Sequence, residues 1–210
     1  MSRSAQIQFL SYFAQAYDPV VHLLGFPPLW RAIADMAAPV MGEPALDVCT
    51  GTGGAALELA RRGARVIGLD LADGMLRRAD NKHNGFAASG GALFARMDAR
   101  RLAFPDRSFS LVTCSMALHE MAEPEREQVL REISRIASDR VVIAEYRVPQ
   151  SVAGSLLFRL ERLFEYLESD DFERFVRTDL RARLECVGFN VGRPRDVGAY
   201  RIWPCRRLPS

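Results

Sequence analysis

Lysine is nearly missing from this chain: of its 28 basic residues only Lys82 is not an arginine, and it falls at the polar end of a helix pattern. The Tyr-x-x-x-Lys pair of many nicotinamide-dependent dehydrogenases is therefore absent. The arginines are scattered without a block or an aromatic-interleaved patch, and the net charge is only +2, so nothing supports nucleic-acid binding. Cysteine is sparse too. Cys49, Cys114, Cys186 and Cys205 show no C-x-x-C spacing and no grouping with the three histidines, which argues against a metal site. No apolar run approaches the ~18 residues that span a bilayer, and the amino terminus lacks a signal-peptide core. The expectation is a cytoplasmic protein with no integral membrane segment. Phe9, Phe13, Val20, Leu23 and Leu24 allow at most a weak peripheral contact.

What is present is concentrated in LDVCTGTGG, Leu46 to Gly54. Ala45 to Cys49 is short and apolar enough for a buried strand, and Gly51 and Gly53 permit a tight turn with close backbone approach. Ala55 to Arg62 reads as a helix packed on a sheet and stopped by Gly63; Arg65 to Asp70 is the next strand. Strand, glycine loop, helix and strand, with an acid closing the second strand, mark a nucleotide-binding α/β half. Gly51, Gly53 and Ala56 also satisfy the G-x-G-x-x-G/A pattern of dinucleotide-binding proteins, and Asp70 suits either reading. Asp47 separates them: a carboxylate at the mouth of the loop repels a pyrophosphate but attracts an amino group or a water shell.

At these residues the chain resembles the class I S-adenosyl-L-methionine-dependent methyltransferases, whose first motif is an acid followed by spaced glycines. Their donor carries an ammonium and a sulfonium and no phosphate. GLDLADGML (68–76) looks like the family's ribose-binding segment, MDARRLAFPDRSFSLVTCS (97–115) like its next two motifs, LREISRIASDRVVIAEY (130–146) like its helix and fifth strand, and GFNVG (188–192) like the start of its final hairpin. The resemblance implies a Rossmann-like, doubly wound α/β sheet of seven mainly parallel strands with an antiparallel last strand and helices on both faces. It implies that Asp70 takes the ribose hydroxyls, with Leu71 and Met75 near the adenosine. It implies further that Asp98 accepts from the adenine amino group and that the Ala99 backbone reads the ring edge. Asp47, Thr50, Gly51, Gly53 and Ser115 complete the implied cofactor site, with S-adenosyl-L-homocysteine as product. A lone aspartate at a strand end more often closes a turn or caps a helix. Three acids after three successive strand patterns outweigh that reading here. Asp73 reads as an N-cap and Cys49 and Cys114 as inert thiols ending neighbouring strands.

The chain divides as a single domain into a helical cover (1–42), a cofactor half (43–146) and a substrate side (147–210) ending in a β-hairpin. Ile7, Leu10, Phe13, Ala14 and Tyr17 share one helix face; a Pro27-Pro28 break precedes a second helix from about Leu29 to Met41. Leu156, Leu160, Leu163, Phe164 and Leu167 form a later helical stripe. Both helical segments can cover the carboxyl edge of the sheet, where ligands bind in open α/β folds. Methyl transfer from a sulfonium needs alignment and water exclusion above all, and a base only for an acceptor that enters protonated. His119, after the fourth strand, is the best-placed base; neighbouring Glu120 reads as a helix-start acid. Tyr12, Tyr17, His22, Tyr146 and Tyr166 are candidates for the acceptor pocket.

Within the class, AYDPVVHLLGFPPLWR and DVCTGTG resemble the quinone-ring C-methyltransferases of ubiquinone and menaquinone synthesis and related phospholipid N-methyltransferases. The chain departs from the quinone pattern at Gly54, where an acid is usual, at Ser110, where Asp is common, at CSMALHEM in place of G-x-R-N, and at ISRIASDR, which lacks a glycine pair. The acceptor implied is a small apolar or aromatic molecule: quinone-like, phenolic, a thiol or a lipid head group. The alternatives are an NAD(P)-dependent oxidoreductase using the same loop and a non-catalytic cofactor-binding protein. Oligomeric state is not written in the sequence.

Overall fold

The computed structural model describes residues 3–84, 91–147, 174–175 and 177–208. Helices α1 (Arg3–Leu23) and α2 (Phe26–Ala37) lead into β1 (Pro44–Val48), α3 (Gly54–Arg61), β2 (Arg65–Asp70), α4 (Asp73–Asn84) and β3 (Ala92–Arg96). Next come β4 (Phe109–Ser115), a 3-10 turn (Leu118–Glu120), α5 (Glu123–Ile136) and β5 (Ala137–Tyr146). Helix α6 (Leu180–Cys186) precedes β6 (Phe189–Val191), β7 (Arg195–Val197) and β8 (Tyr200–Arg207). The sheet order is β3-β2-β1-β4-β5-β8-β6, with β7 paired to β8. Strands β1 to β5 run parallel to one another, and β8 is antiparallel to β5, β6 and β7. This is the Rossmann-like, doubly wound sheet with helices on both faces, carrying eight strands among the described residues where seven were expected. The extra strand is three-residue β7, folded back on β8 through the Gly198 turn, where φ is 59°.

Strand alternation assigns the faces. Leu46, Val48, Val112, Cys114, Val141 and Ile143 pack with Val129, Leu130 and Ile133 of α5 and Leu184 of α6. The intervening Ala45, Leu111, Val142 and Ala144 pack with Leu29 and Ile33 of α2 and Leu59 of α3. Each fully buried aliphatic side chain contributes ~1.5–3 kcal/mol, so both helix layers are tied to the strands they cover. Parallel strands buried on both faces read as continuous apolar runs.

Helix α2 starts earlier than the proline pair suggested. Pro27 and Pro28 sit in its first turn, where a missing N–H costs nothing, after Gly25 at φ 85°. It stops at Ala37, because Ala38 takes a left-handed φ of 43° and Pro39 follows. Asp73 opens α4 from inside its first turn and pairs with Arg96 at 3.2 Å. The stripe from Leu156 to Leu167, with Tyr166, lies outside the described residues.

Two departures from the quinone pattern gain a physical reason. Ser110 donates to Glu43 at 3.0 Å, and Glu43 is also held by Arg140, which caps the Ala37 and Ala38 carbonyls at the end of α2. At Gly54, a Cβ would fall inside the indole of Trp30 from α2. Gly54→Ala is therefore expected to push α2 off α3 and cost ~1–3 kcal/mol through overpacking. A thermal melt checks this, and an unchanged midpoint would show that Trp30 moves aside freely.

Candidate active site

The carboxyl ends of β1, β2 and β4 converge on the turn from Cys49 to Gly53. Cys49, Gly51 and Gly53 all take left-handed φ values, of 56°, 54° and 77°, so the chain reverses within five residues. A glycine is the unstrained choice at two of the three. The turn is closed by Thr50 N–H donating to the Leu69 carbonyl at 2.8 Å and Gly53 N–H to the Thr50 carbonyl at 2.9 Å. A Cβ built on Gly51 meets nothing within 4 Å, which leaves that side of the loop open to close approach.

Asp47 is only 1% exposed. Its carboxylate accepts from the hydroxyls of Thr50 and Thr113, each at 2.6 Å, and from the Ala56 amide. It thus pins β1 to β4 and to the loop, turned inward from the mouth where sequence reasoning set it. Burial outweighs those bonds and pushes its pKa up from 3.8 to about 6. A folded state that holds the proton more tightly than the unfolded chain gains stability below pH 4 and loses it as the pH rises through 6. The stability difference between the parent and Asp47→Asn is therefore expected to shift against the parent by on the order of 3 kcal/mol between pH 4 and 7. Urea titrations across that window measure it; a pH-independent difference would contradict it.

Asp70, half-buried at the end of β2, accepts from the Gly51 amide at 2.8 Å and the Ala72 amide at 2.9 Å. Loop and strand end are therefore one unit, and burial raises this carboxyl above its ordinary value. Leu71 is half-buried, and Met75 is buried with Ala14 and Ala72, Tyr17 packing alongside. Asp98 is engaged by its near neighbour: the Arg100 guanidinium reaches it at 2.6 and 3.0 Å, and the Arg100 amide at 3.0 Å. Arg100 also binds Glu125 at 2.8 Å, and Asp98 holds the guanidinium's pKa above its usual value. Ala99 is buried, and Ser115 is half-buried before Met116, whose φ is 54°.

His119 lies in the 3-10 turn after β4 and is 1% exposed. Its Nδ1 is 2.7 Å from Oε2 of Glu145, which is fully buried. The other oxygen of Glu145 accepts from the amides of Ala117 at 3.0 Å and Leu118 at 2.6 Å. Buried Arg126 holds the same turn from the opposite side, donating to the carbonyls of Leu118 and Met121 at 2.9 and 2.8 Å. One acid thus takes the turn's amides and one base its carbonyls. The rings of Tyr146 and Phe175 stand 4.9 and 6.2 Å from His119, edge to face.

Of the other aromatic candidates, Tyr17 is half-buried against Met75, while Tyr12 is 85% exposed on α1. His22 donates through Nδ1 to the Asp18 carbonyl at 2.7 Å and packs edge-on against Trp30. Cys114 touches the Cys49 thiol, and that contact together with burial holds Cys114 well above its ordinary pKa, in a poorly nucleophilic state. All four cysteines are free, and no cluster fit for a metal ion occurs among the described residues. Sequence reasoning missed the buried Asp18, which accepts from Thr52 at 2.7 Å, Arg78 at 2.7 Å and Lys82 at 2.9 Å. Burial opposes its ionisation, but those three donors prevail and lower its pKa. Asp18 thereby fastens α1 over the glycine loop and α4; a lone lysine in the sequence was the one available signal.

Comparison with known proteins is decisive at this point. Residues 45–139 match a family model described as a methyltransferase domain. The demethylmenaquinone methyltransferase of Thermus thermophilus is 34% identical over 86% of this chain and 91% of its own length. The chain belongs to the class I S-adenosylmethionine-dependent methyltransferases. Demethylmenaquinone methyltransferase of Clavibacter sepedonicus is 36% identical over 65% of the chain, a match that spans 56% of that relative. Magnesium protoporphyrin IX methyltransferase of Synechocystis with bound S-adenosylhomocysteine shares the fold at a TM-score of 0.64 and 22% identity, covering 99% of this chain and 89% of that one. The donor of this methyltransferase family is S-adenosylmethionine, and the nicotinamide alternative falls away. No helix among the described residues of the methyltransferase is long and apolar enough to cross a membrane.

Proposed function

We propose that this methyltransferase moves a methyl group to a small aromatic acceptor that enters protonated, a phenol or a hydroquinone, with His119 taking the proton. The observation that carries the reading is the His119–Glu145 pair, closed in by Tyr146 and Phe175, whose rings also line a cavity beyond it. A base held through Nδ1 by a buried carboxylate presents Nε2 as the proton acceptor. The relatives named for demethylmenaquinone support a ring-bearing acceptor.

The residues of the loop fit the donor. Asp70, already aligned by two amides, would take the ribose hydroxyls; the open face of Gly51, with Gly53, allows close approach. Leu71, Met75 and Ala99 would flank the adenosine, and Asp98 would take the adenine amino group by exchanging part of its hold on Arg100. Thr50 and Ser115 close the rim, and Asp47 supports the loop from beneath. When bound, the donor supplies a methyl group on a sulfonium, displaced in line and leaving S-adenosylhomocysteine. The protein's share is alignment and exclusion of water, worth effective molarities of ~10⁵–10⁸ M in well-oriented systems.

The test is S-adenosylhomocysteine release with a panel of phenols, reduced naphthoquinones, thiols and amines. Turnover with the first two, lost in His119→Ala, supports the reading. Turnover confined to thiols or amines, or an unaffected His119→Ala, removes it.

A further inference from the structure

The cavity beyond His119 is cationic as well as aromatic. About 380 Å³ in volume, it lies between the end of β5, the turn before α6, and β8, within the size range of sites for small ligands. Its apolar wall is made by Tyr146, Phe175 and Trp203; Arg147, Arg181 and Arg201 supply the charge.

Among the described residues the lining itself carries three arginines and one carboxylate. Arg201 holds Asp196 through two bonds of 2.6 and 2.9 Å, and Arg147 reaches the same carboxylate at 3.0 Å. Arg201, with Arg147 adding to it, keeps that carboxyl below its ordinary pKa, so among the described residues these two guanidiniums share one ionised carboxylate. Asp179, the one carboxylate in the lining, accepts from the Ala182 amide at the start of α6, and Arg181 donates to the Val191 and Gly192 carbonyls and pairs with Glu185 at 3.4 Å. Nε of Arg147 is buried and has no hydrogen-bond partner among the described residues. A buried donor left unmet costs ~1–3 kcal/mol unless a ligand supplies the acceptor.

We infer that the acceptor carries an anionic group, a carboxylate on its aromatic ring, received by Arg147 with Arg201 behind it. This rests on the reading of the cavity as the acceptor side. An arginine with its Nε side unused offers the planar fork that matches a carboxylate, which an ammonium does not. The ring would lie among Tyr146, Phe175 and Trp203, and the first two of these also pack on His119. A hydroxyl on the same ring would then face the base while the anion anchors the far side. The uncharged quinones of the named relatives have no use for such an anchor.

The experiment titrates the full chain, saturated with S-adenosylhomocysteine, with 4-hydroxybenzoate and with its uncharged counterpart 4-hydroxybenzamide, by calorimetry. 4-Hydroxybenzoate is expected to bind at least about tenfold more tightly. Arg147→Gln should abolish the preference, and Arg147→Lys should recover only part of it, with S-adenosylhomocysteine affinity unchanged in both as the check on folding. Equal affinity for the two probes, or a preference that survives Arg147→Gln, overturns the inference. A charge preference without methylation of any phenol would leave the anionic site standing and remove the proposed reaction. Methylation of uncharged phenols with no charge preference would do the reverse.

Discussion

Asp70→Ala is expected to weaken S-adenosylmethionine binding by ~10²–10⁴-fold. The figure follows from two hydrogen bonds to a charged acceptor, each contributing ~1.5–3 kcal/mol, lost together. The geometry makes the effect larger than ligand contacts alone would suggest. Asp70 is the acceptor for the Gly51 amide, so its removal also frees the loop whose open face is proposed to receive the donor. The Ala72 amide, at the entry to α4, loses its partner in the same step. Asp70→Asn keeps one carbonyl oxygen and the side-chain volume, and should retain most of the loop while losing ~10–100-fold in affinity. Calorimetric titration of the parent and both variants settles the order. Affinities within about threefold of one another would remove Asp70 from the donor site.

The glycine loop, the acid ending β2 and the parallel run of strands were legible in the sequence because each is local. Apolar runs of five or six residues, a glycine where φ must be positive and a polar residue at the strand end all lie within one stretch of about 25 residues. Asp47 was legible as a position but not as a direction. Its aim is set by Thr113, 66 residues away on the neighbouring strand, and only the parallel register of Asp47 opposite Thr113 brings the hydroxyl to it. The same holds for Gly54, whose missing side chain makes sense only once Trp30 lies over it. Asp18 and Lys82 are 64 residues apart, and each alone reads as an ordinary surface charge. Pro27-Pro28 misled in the opposite way: a proline pair marks a helix boundary, but its side of the boundary depends on the preceding Gly25 turn. Strand β7 is too short to show any period at all.

These long-range contacts share a pattern. Acids at successive strand ends differ in how much of their hydrogen-bonding capacity the protein itself consumes. Asp47 is enclosed and serves the loop from within. Asp70 accepts the Gly51 and Ala72 amides, one on each oxygen, with the Leu71 amide adding to them, and is only half-buried. Asp98 is committed to Arg100 in a partly exposed ion pair, worth about 1 kcal/mol or less. The enclosure of these acids by the protein therefore falls from β1 outward.

Replacing Glu145 separates support from catalysis. With alanine, the amides of Ala117 and Leu118 and the ring nitrogen of His119 lose a common acceptor in a place with no access to water. At ~1–3 kcal/mol for each unmet group the loss reaches several kcal/mol, or roughly 10–15 °C in the melting midpoint of a chain this size. Glutamine is the informative variant. Its carbonyl oxygen can still serve the two amides, so the turn should fold with a midpoint within a few degrees of the parent. Its amide NH₂, however, donates to Nδ1 of His119 and drives the ring proton to Nε2, which can then no longer receive one. Turnover of a phenolic acceptor in Glu145→Gln should fall ~10²–10⁴-fold at unchanged donor affinity, the range spanned by loss of general-base assistance and of the correct tautomer. A Glu145→Gln enzyme that keeps the parent's rate would reduce the pair to a fastening for the turn after β4, and would move the search for the proton acceptor elsewhere.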